Sequence, residues 1–186
     1  MANAIVLEVL EFVRPIRLQL ERVALADVVR DALSMAETHV HRGQVEVTLA
    51  LPEDLAPIQG DPHQLRQIFT NLLTNAFEAL GGRGSVHIQA TRVEADEEPS
   101  SPSEAHAGPN IQVDVIDDGP GMPADVLDKI FSPFFTTKPQ GSGLGLAIVR
   151  KIVDAHDGRI DVSARVEGGT QFRVTLPVSS TNELFR

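Results

Sequence analysis

The chain has 186 residues, 42% hydrophobic and 23% charged, enough for one buried core and too apolar for global disorder. Its formal charge of −10, from 26 acids against 16 bases, argues against general nucleic-acid binding and against a polybasic membrane anchor. With no cysteine, disulfides, thiol catalysis and cysteine–zinc sites are all excluded.

No apolar run approaches the roughly 20 residues of a membrane span. Met1-Ala2-Asn3-Ala4 lacks a signal-peptide pattern. The expected location is therefore the cytosol, with neither nucleic acid nor membrane as a partner of this chain. Residues 5–20 carry Ile5, Val6, Leu7, Val9, Leu10, Phe12 and Val13, then meet Pro15. They read as a short helix that stops before the proline and either docks on the domain or, the favoured reading, forms the end of a longer helix. Residues 24–42 place Val28, Val29, Leu33, Ala36 and Val40 at helical spacing, with Asp27 as N-cap and Gly43 as the stop. Val45, Val47 and Leu49 alternate as in a strand.

Pro52 to Gly60 reads as a loop. Asp61-Pro62 then starts a helix that runs to about Leu80 and closes at Gly81-Gly82. Val86, Ile88 and Ala90 predict a strand, and Ile111, Val113 and Val115 another. Residues 94–110, with three prolines and several acids, read as a solvated loop between them. The stretch from Gly119 to Gly143 is rich in Gly and Pro. Gly145 to Ala155 predicts a helix, followed by a hairpin of Ile160–Ala164 and Phe172–Leu176 turning at Gly168-Gly169. Strands arrive in pairs with helices interspersed. The expected class is α+β, a two-layer sandwich with a mixed, mostly antiparallel sheet and helices on one face.

Four segments carry chemistry. Asn71 and Asn75 share one helix face beside an apolar stripe. Such amides are either structural hydrogen-bonders or oxygen donors to a divalent ion that keeps most of its shell for water and phosphate. Asp117-Asp118-Gly119-Pro120-Gly121 puts an acid at a strand end before two glycines. It is either a plain turn or a place where backbone approaches a flat ligand whose amino group the carboxylate accepts. Gly141-Ser142-Gly143-Leu144-Gly145 opens a helix and offers backbone N–H groups to an anion. It is neither a P-loop nor a Rossmann fingerprint, and a merely flexible loop is the alternative. Phe131-Ser132-Pro133-Phe134-Phe135-Thr136-Thr137-Lys138 is too apolar for a linker. It reads as a lid able to bring Lys138 onto a phosphate, or as a buried loop anchor.

Taken in order, these segments resemble the ATP-binding catalytic domain of sensor histidine kinases, in the superfamily shared with gyrase, MutL and heat-shock chaperone ATPases; nitrogen-regulation-type kinases look most similar. NLLTNAFEA resembles the asparagine box, DDGPGM the first glycine box, FSPFFTTK the phenylalanine box, and GSGLGLAIV the second glycine box. Gly168-Gly169-Thr170 resembles the last glycine motif. The resemblance implies the superfamily's ATP-binding sandwich fold, with ATP and Mg²⁺ as cofactors. Asn75 would coordinate Mg²⁺, with Asn71 orienting water or phosphate. Asp117 would take the adenine amino group, with Gly119 and Gly121 making room and Thr170 supporting the base. Gly141, Ser142, Gly143, Leu144 and Gly145 would wrap the phosphates. Asn71 and Lys138 would be the catalytic residues.

Two departures matter. Many such kinases carry a lysine three residues after the second asparagine, where this chain has Glu78, so phosphate contact shifts to Lys138 or Arg150. None of the six histidines, at 39, 41, 63, 87, 106 and 156, lies in an acceptor setting; His63 reads as helix surface. The expected partners are therefore a separate dimerisation and histidine-phosphotransfer helical hairpin and, indirectly, a response regulator. The expected division is 1–22 as the end of that hairpin and a linker, 23–178 as the ATP-binding domain, and 179–186 as a tail. The expected activity is ATP-dependent protein-histidine phosphorylation. A non-catalytic nucleotide-binding module and an anti-sigma-type serine kinase are the alternatives.

Overall fold

Apolar residues at every second position of three adjacent strands dictate the architecture. The computed structural model describes residues 9–10, 12–40, 43–94, 108–139 and 141–178. Its main sheet comprises β2 (Gln44–Ala50), β4 (Arg83–Val93), β5 (Asn110–Asp117), β6 (Arg159–Ala164) and β7 (Thr170–Pro177), in the order β2-β4-β5-β7-β6. Every pairing is antiparallel except β2 with β4. That parallel pair is joined by a crossover through helix α2 (Pro62–Leu80). Val86, Ile88 and Ala90 on β4, Ile111, Val113 and Val115 on β5, and Phe172, Val174 and Leu176 on β7 all point into one core.

Helices α1 (Leu25–His39), α2 and α4 (Gly145–Ala155) belong to the opposite layer and contribute buried stripes to that core. On α2 the stripe is Leu65, Ile68, Phe69, Leu72, Leu73, Ala76 and Phe77, with Asn71 and Asn75 at its half-buried border. Asp61 caps α2 as its sequence predicts: Oδ1 accepts from the N–H groups of His63 and Gln64, at 3.0 and 3.2 Å. Its Oδ2 accepts from Gln19 N–H at 3.0 Å, tying the incoming segment to the start of the helix. The polar sheet face is organised around Asp114, which is 1% exposed. Its carboxylate accepts from Gln89, Gln112 and Arg173.

The two-layer α+β reading holds, and the main elements lie where the periodicity puts them. Four details differ. Pro52–Gly60 is not all loop: Ile58–Gly60 forms β3, antiparallel to β1 (Glu21–Val23). Neither three-residue strand has enough alternation to register as a pattern. Asp27 is not the N-cap of α1; Ala24 is, without a side-chain bond, and Asp27 lies in the first turn paired with Arg30. The helix stops at His39, and Gly43 lies in the turn before β2. A short helix, α3 (Ala124–Leu127), interrupts the Gly/Pro-rich stretch.

Residues 9, 10, 12 and 13 are helical and stop before Pro15, as expected. Lys151 on α4 donates to the carbonyls of Phe12 and Arg14, at 2.6 and 2.8 Å, so it caps this segment's end. The expected solvated loop and the C-terminal tail lie largely outside the described residues. Among the described residues, no helix is long and apolar enough to cross a membrane.

Candidate functional site

The site is built around the C-terminal half of α2, which touches each of the singled-out segments. At one end stands Asp117, the last residue of the central strand β5, only 4% exposed. Its Oδ1 accepts two backbone N–H groups, from Gly119 at 2.9 Å and Thr170 at 3.2 Å. Oδ2 takes neither. Burial pushes this carboxyl above its ordinary pKa, and the two N–H groups only partly offset that. Thr170 is itself buried and contributes this backbone donor.

The neighbouring Asp118 has a different task. Its two oxygens accept from Ser85 N–H at 2.7 Å and Ser85 Oγ at 2.8 Å, which fastens the Gly119–Gly121 turn to β4. These bonds hold its carboxyl below the usual range. The β6–β7 turn packs directly onto the end of β5. A Cβ at Gly169 would lie 1.9 Å from the Asp117 carbonyl oxygen, so glycine is obligatory there. Gly121 abuts Gly169, and Gly119 abuts Ala79 and Leu80 at the end of α2.

The other end of the site is the segment 131–145. Phe134 is 62% exposed, has φ of +66°, and donates its N–H to Gly143 O at 3.0 Å. A Cβ at Gly143 would lie 2.4 Å from the Phe134 carbonyl carbon, so this contact exists only because Gly143 has none. Gly141 N–H bonds Lys138 O at 3.1 Å, and Lys138 N–H bonds Thr136 Oγ1 at 3.1 Å. The segment thus forms a small turn that presents the lysine side chain. Ser142 Oγ accepts from Leu144 N–H at 3.2 Å. The Leu144 side chain is fully buried, so only its backbone could meet a ligand.

Helix α4 begins at Gly145, and its N-cap, Leu144, offers the first N–H groups no side-chain bond. A Cβ at Gly145 would meet no heavy atom within 4 Å, so the space beside it is open. Asn71 Nδ2 donates to Gly145 O at 3.4 Å and so holds α2 against the start of α4.

Asn75 sits one turn further along α2. Its Oδ1 accepts from the Lys138 ammonium at 2.7 Å, and the same ammonium pairs with Glu78. An amide oxygen that already faces a cation fits a divalent metal ion in kind. Among the described residues, no group of three His, Cys, Asp or Glu side chains could hold a metal. A lone amide oxygen is a ligand of the kind that a hard ion takes when phosphate and water fill most of its shell.

Three contributors escaped the sequence reading. Glu78 registered only as the loss of an expected lysine, although its spacing from Asn75 puts both on one helix face. Asp118 was overshadowed by its neighbour. His156 is buried and joins α4 to the start of α2, a contact with no local signature.

Residues 60–180 match the family model described as histidine kinase-, DNA gyrase B-, and HSP90-like ATPase. Over 181 residues the chain is 36% identical to the sensor histidine kinase ZraS of Escherichia coli K12, covering 97% of this chain and 36% of ZraS. It therefore spans about a third of the length of that relative. The fold superposes on full-length ShkA in complex with AMPPNP with a TM-score of 0.79 and 27% identity, covering 97% of this chain and 36% of ShkA. It also superposes on the histidine kinase ThkA in complex with the response regulator TrrA, with a TM-score of 0.73 and 28% identity, covering 96% of this chain and 47% of ThkA. On its sequence, its fold and the arrangement of its glycine turns about α2, the chain belongs to the histidine kinase-, gyrase B- and HSP90-like ATPase family.

Proposed function

We propose that this chain is the ATP-binding catalytic part of a two-component sensor histidine kinase working in the cytosol. It would transfer the γ-phosphate of ATP to a histidine on a separate helical hairpin, from which a response regulator is served. One observation carries the reading above the rest. Asp117 is buried, fixed by two N–H groups on one oxygen, and placed at a strand end beside the helix bearing Asn75. A carboxylate so held suits the amino group of an adenine.

In this reading Asp117 Oδ2 accepts from the adenine amino group, and Gly119 and Gly121 leave room for the ring. The backbone of residues 141–145 and the start of α4 receive the phosphates. Mg²⁺, held by Asn75, would neutralise phosphate charge when bound. Lys138 adds a cation at the γ-phosphate. The acceptor imidazole nitrogen attacks phosphorus, the N–P bond forms, and the P–O bond to ADP breaks. Asn71 is a neutral amide and cannot take a proton, so water attack is disfavoured and the nucleophile comes from the hairpin.

Labelled ATP tests this. The chain alone should gain no acid-labile phosphohistidine, and a supplied cognate hairpin should become labelled. Robust labelling of His63, or of any other histidine in the chain, would overturn the reading.

A further inference from the structure

Asn75 and Glu78 are three residues apart on α2 and face the same way. Lys138 reaches both from the lid, 63 and 60 positions along the chain. This is a tertiary contact between loop and helix. Both charged side chains are about two-fifths exposed, at 43% for Lys138 and 40% for Glu78. The lysine backbone is fixed by Thr136 Oγ1 on one side and Gly141 N–H on the other, so a formed turn presents the ammonium.

The contact has two consequences. Asn75 Oδ1 can serve the ammonium or a metal ion, since two cations on one oxygen repel. The lysine must therefore leave Asn75 when a metal takes that oxygen. Glu78 keeps hold of it when it does, because the carboxylate lies beside the amide. Conversely, Glu78 without Lys138 is a bare anion next to the place where phosphates would sit.

We propose that Glu78 is a positioning residue that acts through Lys138. It latches the lid lysine over Asn75 before nucleotide binds, and it keeps that ammonium within the site once metal and phosphate arrive. The proposal deepens the ATP-kinase reading and rests on it. The cation missing from position 78 of the helix is supplied from the lid, and Glu78 is what holds it there.

Two measurements test it, and they fail separately. The first uses the nucleotide-free chain and hydrogen exchange across residues 134–139. Glu78→Gln should speed exchange there by about three- to tenfold, with Glu78→Asp close to wild type. Unchanged exchange in Glu78→Gln would show that no latch exists, whatever the protein binds.

The second is calorimetric titration with ATP, with Mg²⁺ and in chelator. Lys138→Ala should weaken binding about tenfold or more, since it removes a cation and exposes an anion. The double variant Lys138→Ala/Glu78→Gln should recover a large part of that loss. An equal effect of Glu78→Gln on affinity in wild type and in the Lys138→Ala background would overturn the coupling. Absence of ATP binding in the wild type would instead sink the kinase reading, while leaving the latch to the exchange experiment.

Discussion

His156 Nε2 accepts the backbone N–H of Asp61 at 3.0 Å, across 95 residues of sequence. The opposite ring nitrogen lies 2.8 Å from Ile152 O, which fixes the tautomer with the proton on Nδ1. The buried imidazole thus joins the end of α4 to the start of α2. His156→Ala should lower unfolding free energy by about 1–3 kcal/mol, because it strands the buried N–H of Asp61. Denaturant titration measures this. A loss within error of zero would mean that water replaces the ring without cost.

Asp117→Asn separates binding from folding. The asparagine Oδ1 can still accept from Gly119 and Thr170, so the local geometry survives. Loss of the charge-assisted bond to adenine should weaken ATP binding by about 1.5–3 kcal/mol. Burial raises the Asp117 pKa, so the ionised form at neutral pH disfavours the fold. The nucleotide-free variant should therefore melt no lower than wild type. A lower melting temperature would show that the carboxylate is structural.

Asn75→Ala should abolish the Mg²⁺ dependence of ATP binding and stop transfer to a hairpin, while the fold persists. The core of α2 is carried by Leu72, Leu73, Ala76 and Phe77, all nearly or fully buried, and Asn75 lies outside that stripe. Collapse of nucleotide-free stability in this variant would reassign Asn75 to the scaffold.

Acid should attack the polar face of the sheet and the cap of α2. Burial alone would raise the Asp114 pKa, but Arg173, Gln89 and Gln171 outweigh it and hold the group below its ordinary value. The same balance lowers Asp61, where the N–H groups of Gln19, Gln64 and His63 prevail over burial. A depressed folded pKa means that these carboxylates add stability above the unfolded value, near 3.8, and that this is lost as pH falls through the folded value. Asp114→Asn should cost about 1–3 kcal/mol at pH 7, and less as pH falls through the folded value. An equal cost at every pH would contradict the linkage.

The sequence was most legible where local rules act alone. The Asp61-Pro62 start of α2 rests on capping geometry confined to four residues, and the period-two strands β4, β5 and β7 are buried on one face. The four motifs were readable as chemistry because glycine, amide and carboxylate recur at spacings that one face or one turn explains. Illegible were contacts set by tertiary closure. β1 and β3 are strands only because they pair with each other across 34 residues of intervening chain. Glu78 looked like a missing cation until the lid lysine was seen resting on it, and His156 looked like any helix-end histidine.

Asp117 terminates a strand paired on both sides, by β4 and by β7, and opening there requires disrupting the middle of the sheet. The opposite end of the site is held by turn hydrogen bonds and by the Lys138 contact with α2, and among the described residues of 131–143 none belongs to a strand or helix. The cleft is therefore built of unlike materials, paired strands at one end and a loop at the other. A nucleotide held in it would meet paired strands at its base and loop backbone at its phosphates. In the proposed kinase, nucleotide exchange would then need only the loop to move, while the sheet stays shut.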